Sequence, residues 1–597
     1  MRIDKRLGAL TTATAAQRYF LSCWFNLVHE YSLDSFRVRV MNPGTMLREI
    51  RGALTFSEAK PEDKAMILEE AQQLLAADRV LATGPFPPVM ARLNALLTGD
   101  KLKLVSAKGP DERLLTYTIN ELQPLLDQHY IPTAFGQLED LLITQPAQGH
   151  PPDLAAVHGI TAALLSTLLD RDFSLESLYR IYAEVLVPRK PDRAYHFDRK
   201  LGLTRVLMTQ PKQDFDVTFA LDQITTPEEL PAALGHLVIS DTPPFALHGK
   251  HPKTSYLTPL PKRRFVTIRG LSAADRRAAG LQAYDQLANV INLLRFEYEQ
   301  ARLQIPGQFA VLDLARPEKG GRVYLLPRVV PNPTLSLNGN DAADFVTSVN
   351  ELIAGSHFSD EGRDRITSAF RLYRQGRDQD TIETKLVHWW TALEYLVRGS
   401  QAGSGIGKSV ESNLAPVIGL SYVPKLLIVV RNLLSDLGIG LVDAAGLPLD
   451  LRALSLGQLW DVFKDPGQQA VIHTGLAAEP FLQVQVQQFL GELATPAALL
   501  DRLRKHEQRV RWQIQRLWRT RCDIVHSAGR GANHLLLCSN LEYYLKTTLH
   551  GLLAALRSVP TLSGPHEYFD REAYRYDGML KALVAGRDAE VRASFPG

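Results

Sequence analysis

Apolar residues recur at helical spacing through most of the first 240 positions, as in the segments around Ala65 to Leu75, Val89 to Leu97 and Leu154 to Leu169, and this spacing predicts amphipathic helices. Gly84-Pro85-Phe86-Pro87-Pro88 and Gly149-His150-Pro151-Pro152 interrupt the pattern. Proline lacks the backbone donor and disfavours helix in the residue before it, so both stretches are expected to be loops. Strand-like alternation marks Phe265 to Ile268, Phe309 to Leu312 and Val323 to Leu326, a small sheet flanking a long helix from about Ala273 to Leu303.

Residues 1–335 therefore read as an α+β region that senses or targets, divisible near residue 240. The run Pro331 to Asn340 collects turn formers and marks the main domain boundary. Residues 340–560 read as all-helical, and residues 561–597, with Tyr568, Tyr574 and Tyr576, as a short helical extension. The expected fold is mainly α: an N-terminal α+β region followed by a helical bundle.

Size and composition narrow the class. A chain of 597 residues exceeds one ordinary core, and 45% hydrophobic with 22% charged residues is the balance of a globular protein. The sequence is read as having no stretch both long and apolar enough to span a bilayer and no apolar signal core behind Met1-Arg2-Ile3-Asp4-Lys5-Arg6, so a cytoplasmic protein without a membrane partner is expected. Three cysteines, Cys23, Cys522 and Cys538, form no C-x-x-C pair, which argues against a disulfide framework and structural zinc. A net charge of +3 predicts no partner, so only local clusters can argue for nucleic acid.

One local cluster does. From Leu503 the apolar positions Val510, Ile514 and Leu517 mark the buried stripe of one helix, and Arg521 falls on that stripe, where a guanidinium must be paired or open to a cleft. The same segment carries Arg502, Arg504, Lys505, Arg509, Arg511, Arg516 and Arg519 interleaved with Trp512 and Trp518, a composition suited to a polyanion such as RNA. Five residues after Arg521 stands His526. Arginine can hold the charge developing on a phosphate, and an imidazole can move a proton near neutrality. At about 100° per residue the two lie roughly 140° apart on a straight helix. They converge only if the helix bends or ends between them, which Ser527-Ala528-Gly529 would favour, or if two subunits face each other. Asp523 could orient His526 while held by Arg519. An Arg-x4-His spacing is by itself a weak pattern, and a basic helix is more often a solvated face.

The segment Arg521 to Gly529, R-C-D-I-V-H-S-A-G, resembles the R-x-D-I-V-H-G form of the Arg-x4-6-His signature in HEPN domains, specifically the Apea-like branch. Upstream, His388 to Leu396 resembles that branch's W-x-A-L-E-x-L helix, with Arg365 to Tyr373 as the helix ahead of it. The resemblance covers about the C-terminal third. It implies a HEPN-type helical bundle, usually a homodimer, in which paired Arg-His motifs form a metal-independent, cofactor-free ribonuclease cleft, often in anti-phage defence or toxin-like systems with a phage-derived trigger. Arg521 and His526 would be catalytic, Asp523 and Glu394 supporting, and Arg511, Arg516 and Arg519 RNA-binding. Cys522 replaces the family's frequent Asn, and the family's Gly after the histidine is displaced to Gly529. Glu394 lies at the edge of a stripe made by Leu386, Trp389, Leu393 and Leu396, so it either bonds a buried cation, with Arg521 the candidate, or sits at the solvent margin.

A silent HEPN module used for dimerisation or nucleotide binding would keep the fold without the chemistry. Ala402 to Ser409 fits a relaxed phosphate-loop pattern through Lys408 and Ser409, yet it follows a helix rather than a buried strand, so a helix connection is the better reading. Lys250, His251, Lys253, Lys262, Arg263 and Arg264 form a second basic cluster that reads as surface charge, and Cys23, Trp24 and His29 read as core packing.

Overall fold

The computed structural model describes residues 2–29, 41–55, 61–97, 110–187, 195–222, 237–248, 257–297, 305–326, 346–347, 349–350, 359–379, 381–399, 405–443, 445–527, 534–559 and 561–595. The chain is mostly helical with a small five-stranded antiparallel sheet. Met1–Ala163, Val187–Phe197 and Val329–Gly597 form one compact unit, and Leu164–Leu186 with Asp198–Arg328 form the other. One α+β region over residues 1–335 therefore gives way to an insertion, in which the N-terminal helices belong with the C-terminal ones. The turn-former run Pro331 to Asn340 lies outside the described residues.

The first unit begins with α1 (Ala15–Val28), α2 (Pro43–Thr55), α3 (Pro61–Ala77), α4 (Pro87–Leu96), α5 (Pro110–Glu139) and α6 (Leu154–Asp170), the last straddling the division. Thr14 and Gln17 close a reciprocal capping box on α1, satisfying two orphan donors. Both proline-rich joints are loops, with Pro87 opening α4. Cys23 and Trp24 are fully buried, as expected of core residues.

The second unit contains α7 (Leu175–Ile181), α8 (Phe197–Thr209, from Asp198 on) and α9 (Arg276–Glu297). Its strands are β1 (Gln213–Asp222), β2 (Leu237–Ser240), β3 (Arg263–Ala273), β4 (Gln308–Asp313) and β5 (Arg322–Leu325), in the order β2-β3-β1-β4-β5. The three strands expected from alternation are β3, β4 and β5. The sequence reading missed β1, although Phe215, Val217, Phe219 and Leu221 alternate along it and all four are buried. Ala279, Ala283 and Leu287 of α9 pack on that face. The approach is close enough that a Cβ on Gly280 would overlap the Phe309 ring. Of the second basic cluster, Arg263 is paired with Asp222 and Arg264 with Asp241, while Lys250, His251 and Lys253 lie outside the described residues.

The C-terminal part of the first unit holds α10 (Asp360–Asp378), α11 (Ile382–Val397), α12 (Ile406–Leu437), α13 (Leu456–Lys464), α14 (Pro466–Gly475), α15 (Pro480–Ala494), α16 (Pro496–Ser527), α17 (His534–Ser558), α18 (Pro565–Val584) and α19 (Asp588–Ala593). Ser359 and Thr381 cap α10 and α11 by accepting from the backbone N–H groups of Gly362 and Thr384. α12 is apolar on nearly all faces and runs through the bundle against α11, α16, α17 and α18. At 32 residues it is long and apolar enough to cross a membrane, a stretch that the sequence reading overlooked. It lies 78% buried within the protein along its most apolar window, as a central core helix does. The N-terminal helices complete this unit: α1 packs on α15, with Tyr19 edge-on to Phe481 at 5.5 Å, and α3 packs on α16.

Candidate functional site

The carrier helix α16 follows its sequence pattern, with Leu503, Val510, Ile514 and Leu517 all buried. Arg521 continues that stripe and is half-buried. Its guanidinium carbon lies 5.4 Å from the centre of the Trp518 ring, one turn earlier on the same helix. Its Nε is sealed from solvent and has no hydrogen-bond partner among the described residues. Trp518 in turn meets Trp390 of α11 at 5.8 Å, and the Trp390 indole donates to Glu394 Oε1 at 2.6 Å. Glu394 is thus neither bound to Arg521 nor merely at the solvent margin; it fixes Trp390. Burial pushes the Cys522 thiol up, while the Arg521 charge and a hydrogen bond from its guanidinium pull the other way.

The helix runs unbroken through Ser527, so it does not end between Arg521 and His526 as the sequence allowed. The two remain on different faces, about 140° apart. His526 and Asp523 are exposed. Among the described residues Asp523 bonds neither His526 nor Arg519, because Arg519 turns to Glu49 of α2 at 3.3 Å. The orienting role expected of Asp523 is therefore not formed within one chain. Ala528 and Gly529 lie outside the described residues.

The three arginines expected to hold RNA are engaged elsewhere. Arg516 is buried between two carboxylates, Nε donating to Glu49 Oε1 at 2.6 Å and Nη2 to Glu70 Oε2 at 2.5 Å. Arg511 bridges Glu507, 2.7 Å away, and the fully buried Glu411, 2.8 Å away. Glu49 of α2, Glu70 of α3 and Glu411 of α12 are distant in sequence from these arginines, so the pairings were not legible from the helix itself. Burial alone would raise the Glu49 carboxyl, but the Arg516 and Arg519 charges outweigh it and hold Glu49 below its ordinary range. Glu70 goes the other way: burial, reinforced by the Glu49 charge, exceeds the pull of Arg516. Burial works against the charged form of Arg516 too, and the two carboxylates overcome it, raising Arg516 above its usual value.

The phosphate-loop-like run has a different geometry from a nucleotide cradle. Of its residues, 402–404 lie outside the described set, Gly405 precedes α12 and Lys408 donates to Glu411 at 2.7 Å. Gly407 is buried against Trp518, where a Cβ would stand 2.7 Å from Cδ1 and Cγ of the indole. Trp518 and Gly407 were both named in sequence, but not the contact between them or the ring face that Trp518 gives Arg521. The i, i+3 spacing of Trp518 and Arg521 was the available signal.

On α11, Trp389 and Trp390 are both fully buried. Trp389 stacks on Tyr373 at 5.6 Å and donates to its carbonyl at 3.0 Å, so the two upstream helices are locked together. Arg365 is held by Glu361 and by the carbonyl of Arg398. No family model, no curated protein and no solved structure matches this chain.

Proposed function

We propose that this protein is a metal-independent endoribonuclease of the HEPN type, acting in the cytoplasm as a homodimer, in anti-phage defence or a toxin-like system, with a phage-derived trigger. The observation that carries this reading is a guanidinium held on an aromatic face without a carboxylate, five residues before an exposed imidazole at the end of a bundle helix. A guanidinium and an imidazole so placed, about 140° apart around one helix end, can meet those of a second copy across a twofold axis. Each scissile phosphate would then lie between Arg521 of one protomer and His526 of its partner.

In the proposed reaction the RNA 2′-oxygen attacks the adjacent phosphorus and the bond to the 5′-oxygen breaks. His526 takes the 2′-hydroxyl proton, a proton returns to the leaving 5′-oxygen, and Arg521 balances charge on the non-bridging oxygens. The products are a 2′,3′-cyclic phosphate and a 5′-hydroxyl. Positioned proton transfer contributes roughly 10²–10⁴ in rate, and charge stabilisation adds to it. DNA lacks the attacking hydroxyl and should survive. The test compares RNA cleavage by purified wild type with Arg521→Ala and His526→Ala. Loss of cleavage in both variants, each folded as wild type, supports the proposal, and undiminished cleavage by either refutes the assigned roles.

A further inference from the structure

We propose that Trp518 is the positioning residue for Arg521, orienting the guanidinium through its ring face without the carboxylate partner that would neutralise its charge. This rests on reading Arg521 and His526 as the ribonuclease pair. The arginines of α16 differ in what holds them. Arg511, Arg516 and Arg519 are each oriented by carboxylates, which fix a guanidinium and also neutralise it. Arg521 has no carboxylate within ion-pair distance among the described residues, and its Nε has no hydrogen-bond partner. Its aromatic neighbour is Trp518, 5.4 Å from guanidinium carbon to ring centre. An indole face attracts a cation without accepting its donors in the plane, so the cation keeps its affinity for an anion. A carboxylate at that place would compete with the phosphate.

The ring is itself held in place. Trp390 packs against it from α11, and Glu394 fixes the Trp390 indole. From α12, Gly407 lets the ring approach to a distance that no Cβ would permit. Gly407 belongs to the segment that imitates a phosphate loop, and the ring contact gives that glycine a reason unrelated to nucleotide. Two helices therefore define where Trp518 stands, and Trp518 defines where Arg521 points.

The test uses full-length Trp518→Phe, Trp518→Leu and Gly407→Ala, with thermal unfolding to verify folding. Loss of a partly desolvated cation–π contact corresponds to roughly a threefold to thirtyfold loss in cleavage for Trp518→Leu. Trp518→Phe, which keeps an aromatic face, should recover most of it, and Gly407→Ala should resemble Trp518→Leu although it touches no substrate. Affinity for a fully 2′-O-methylated RNA, which can bind but not react, supplies a double-mutant cycle. Trp518→Leu should weaken binding in the wild-type background and have no further effect with Arg521→Ala. Equal, additive losses in the two backgrounds, or Leu performing as well as Phe, overturn the inference while leaving the ribonuclease reading intact. A wild-type protein that cleaves no RNA overturns both.

Discussion

Arg516 Nε lies 2.6 Å from Glu49 Oε1 across 467 residues of sequence, and the same guanidinium reaches Glu70 on the next helix. A charge on the most basic helix of the chain is thereby turned from a surface group into an internal one. The pair ties α2 and α3 to α16, the helix that ends in Arg521 and His526.

Glu49→Gln should therefore destabilise the protein at neutral pH by about 1–3 kcal/mol, the range for weakening a buried charged hydrogen bond. The sign with pH follows from the lowered Glu49 value. Its contribution is complete above the ordinary carboxylate range and fades as pH falls through the lower folded value, so the gap between wild type and variant should close in acid. Glu70 carries the opposite sign, because the folded state holds its proton more tightly and gains as pH falls through the raised value. Glu70→Gln should thus cost less than Glu49→Gln at pH 7. Urea unfolding at pH 7 and at stepwise lower pH checks both statements; a gap that widens in acid for Glu49→Gln would contradict them.

Because α16 is continuous past His526, the proposed cleft has to draw its arginine and histidine from different protomers. Mixing the inactive Arg521→Ala and His526→Ala proteins under conditions that exchange subunits should restore cleavage, since each mixed dimer regains one intact pair. With random exchange half the dimers are mixed and each has one site of two, so recovery should approach about a quarter of wild type. No recovery despite demonstrated exchange would place both groups of a site in one chain.

Lys408 neutralises part of the charge on Glu411, which is fully buried and also receives Arg511 and Gln515. Lys408→Ala should lower stability by about 1–3 kcal/mol through an under-compensated buried carboxylate. Wild type and variant should be alike in showing no magnesium-dependent nucleotide binding by calorimetry. Saturable nucleotide binding abolished by Lys408→Ala would revive the phosphate-loop reading.

Local pattern carried much of the fold. Helices with one apolar face and strands such as Phe265 to Ile268 were legible because their periodicity is set within the segment. The pairing of N-terminal with C-terminal helices was not, since a basic face looks the same in sequence whether water or another helix covers it. β1 was overlooked because its alternation was weighed within a largely helical stretch. At the site, Arg521 on the buried stripe was legible from spacing alone. The partner of Glu394 was not, because Trp390 and Arg521 both offered donors and only the fold decides between them.

The most direct test of the central claim is the chemistry of the RNA ends. Purified wild type incubated with RNA in excess EDTA should leave 2′,3′-cyclic phosphates and 5′-hydroxyls, with His526→Ala producing neither and a fully 2′-O-methylated RNA remaining intact. Ends bearing 5′-phosphates, or identical cleavage by His526→Ala, would contradict the account.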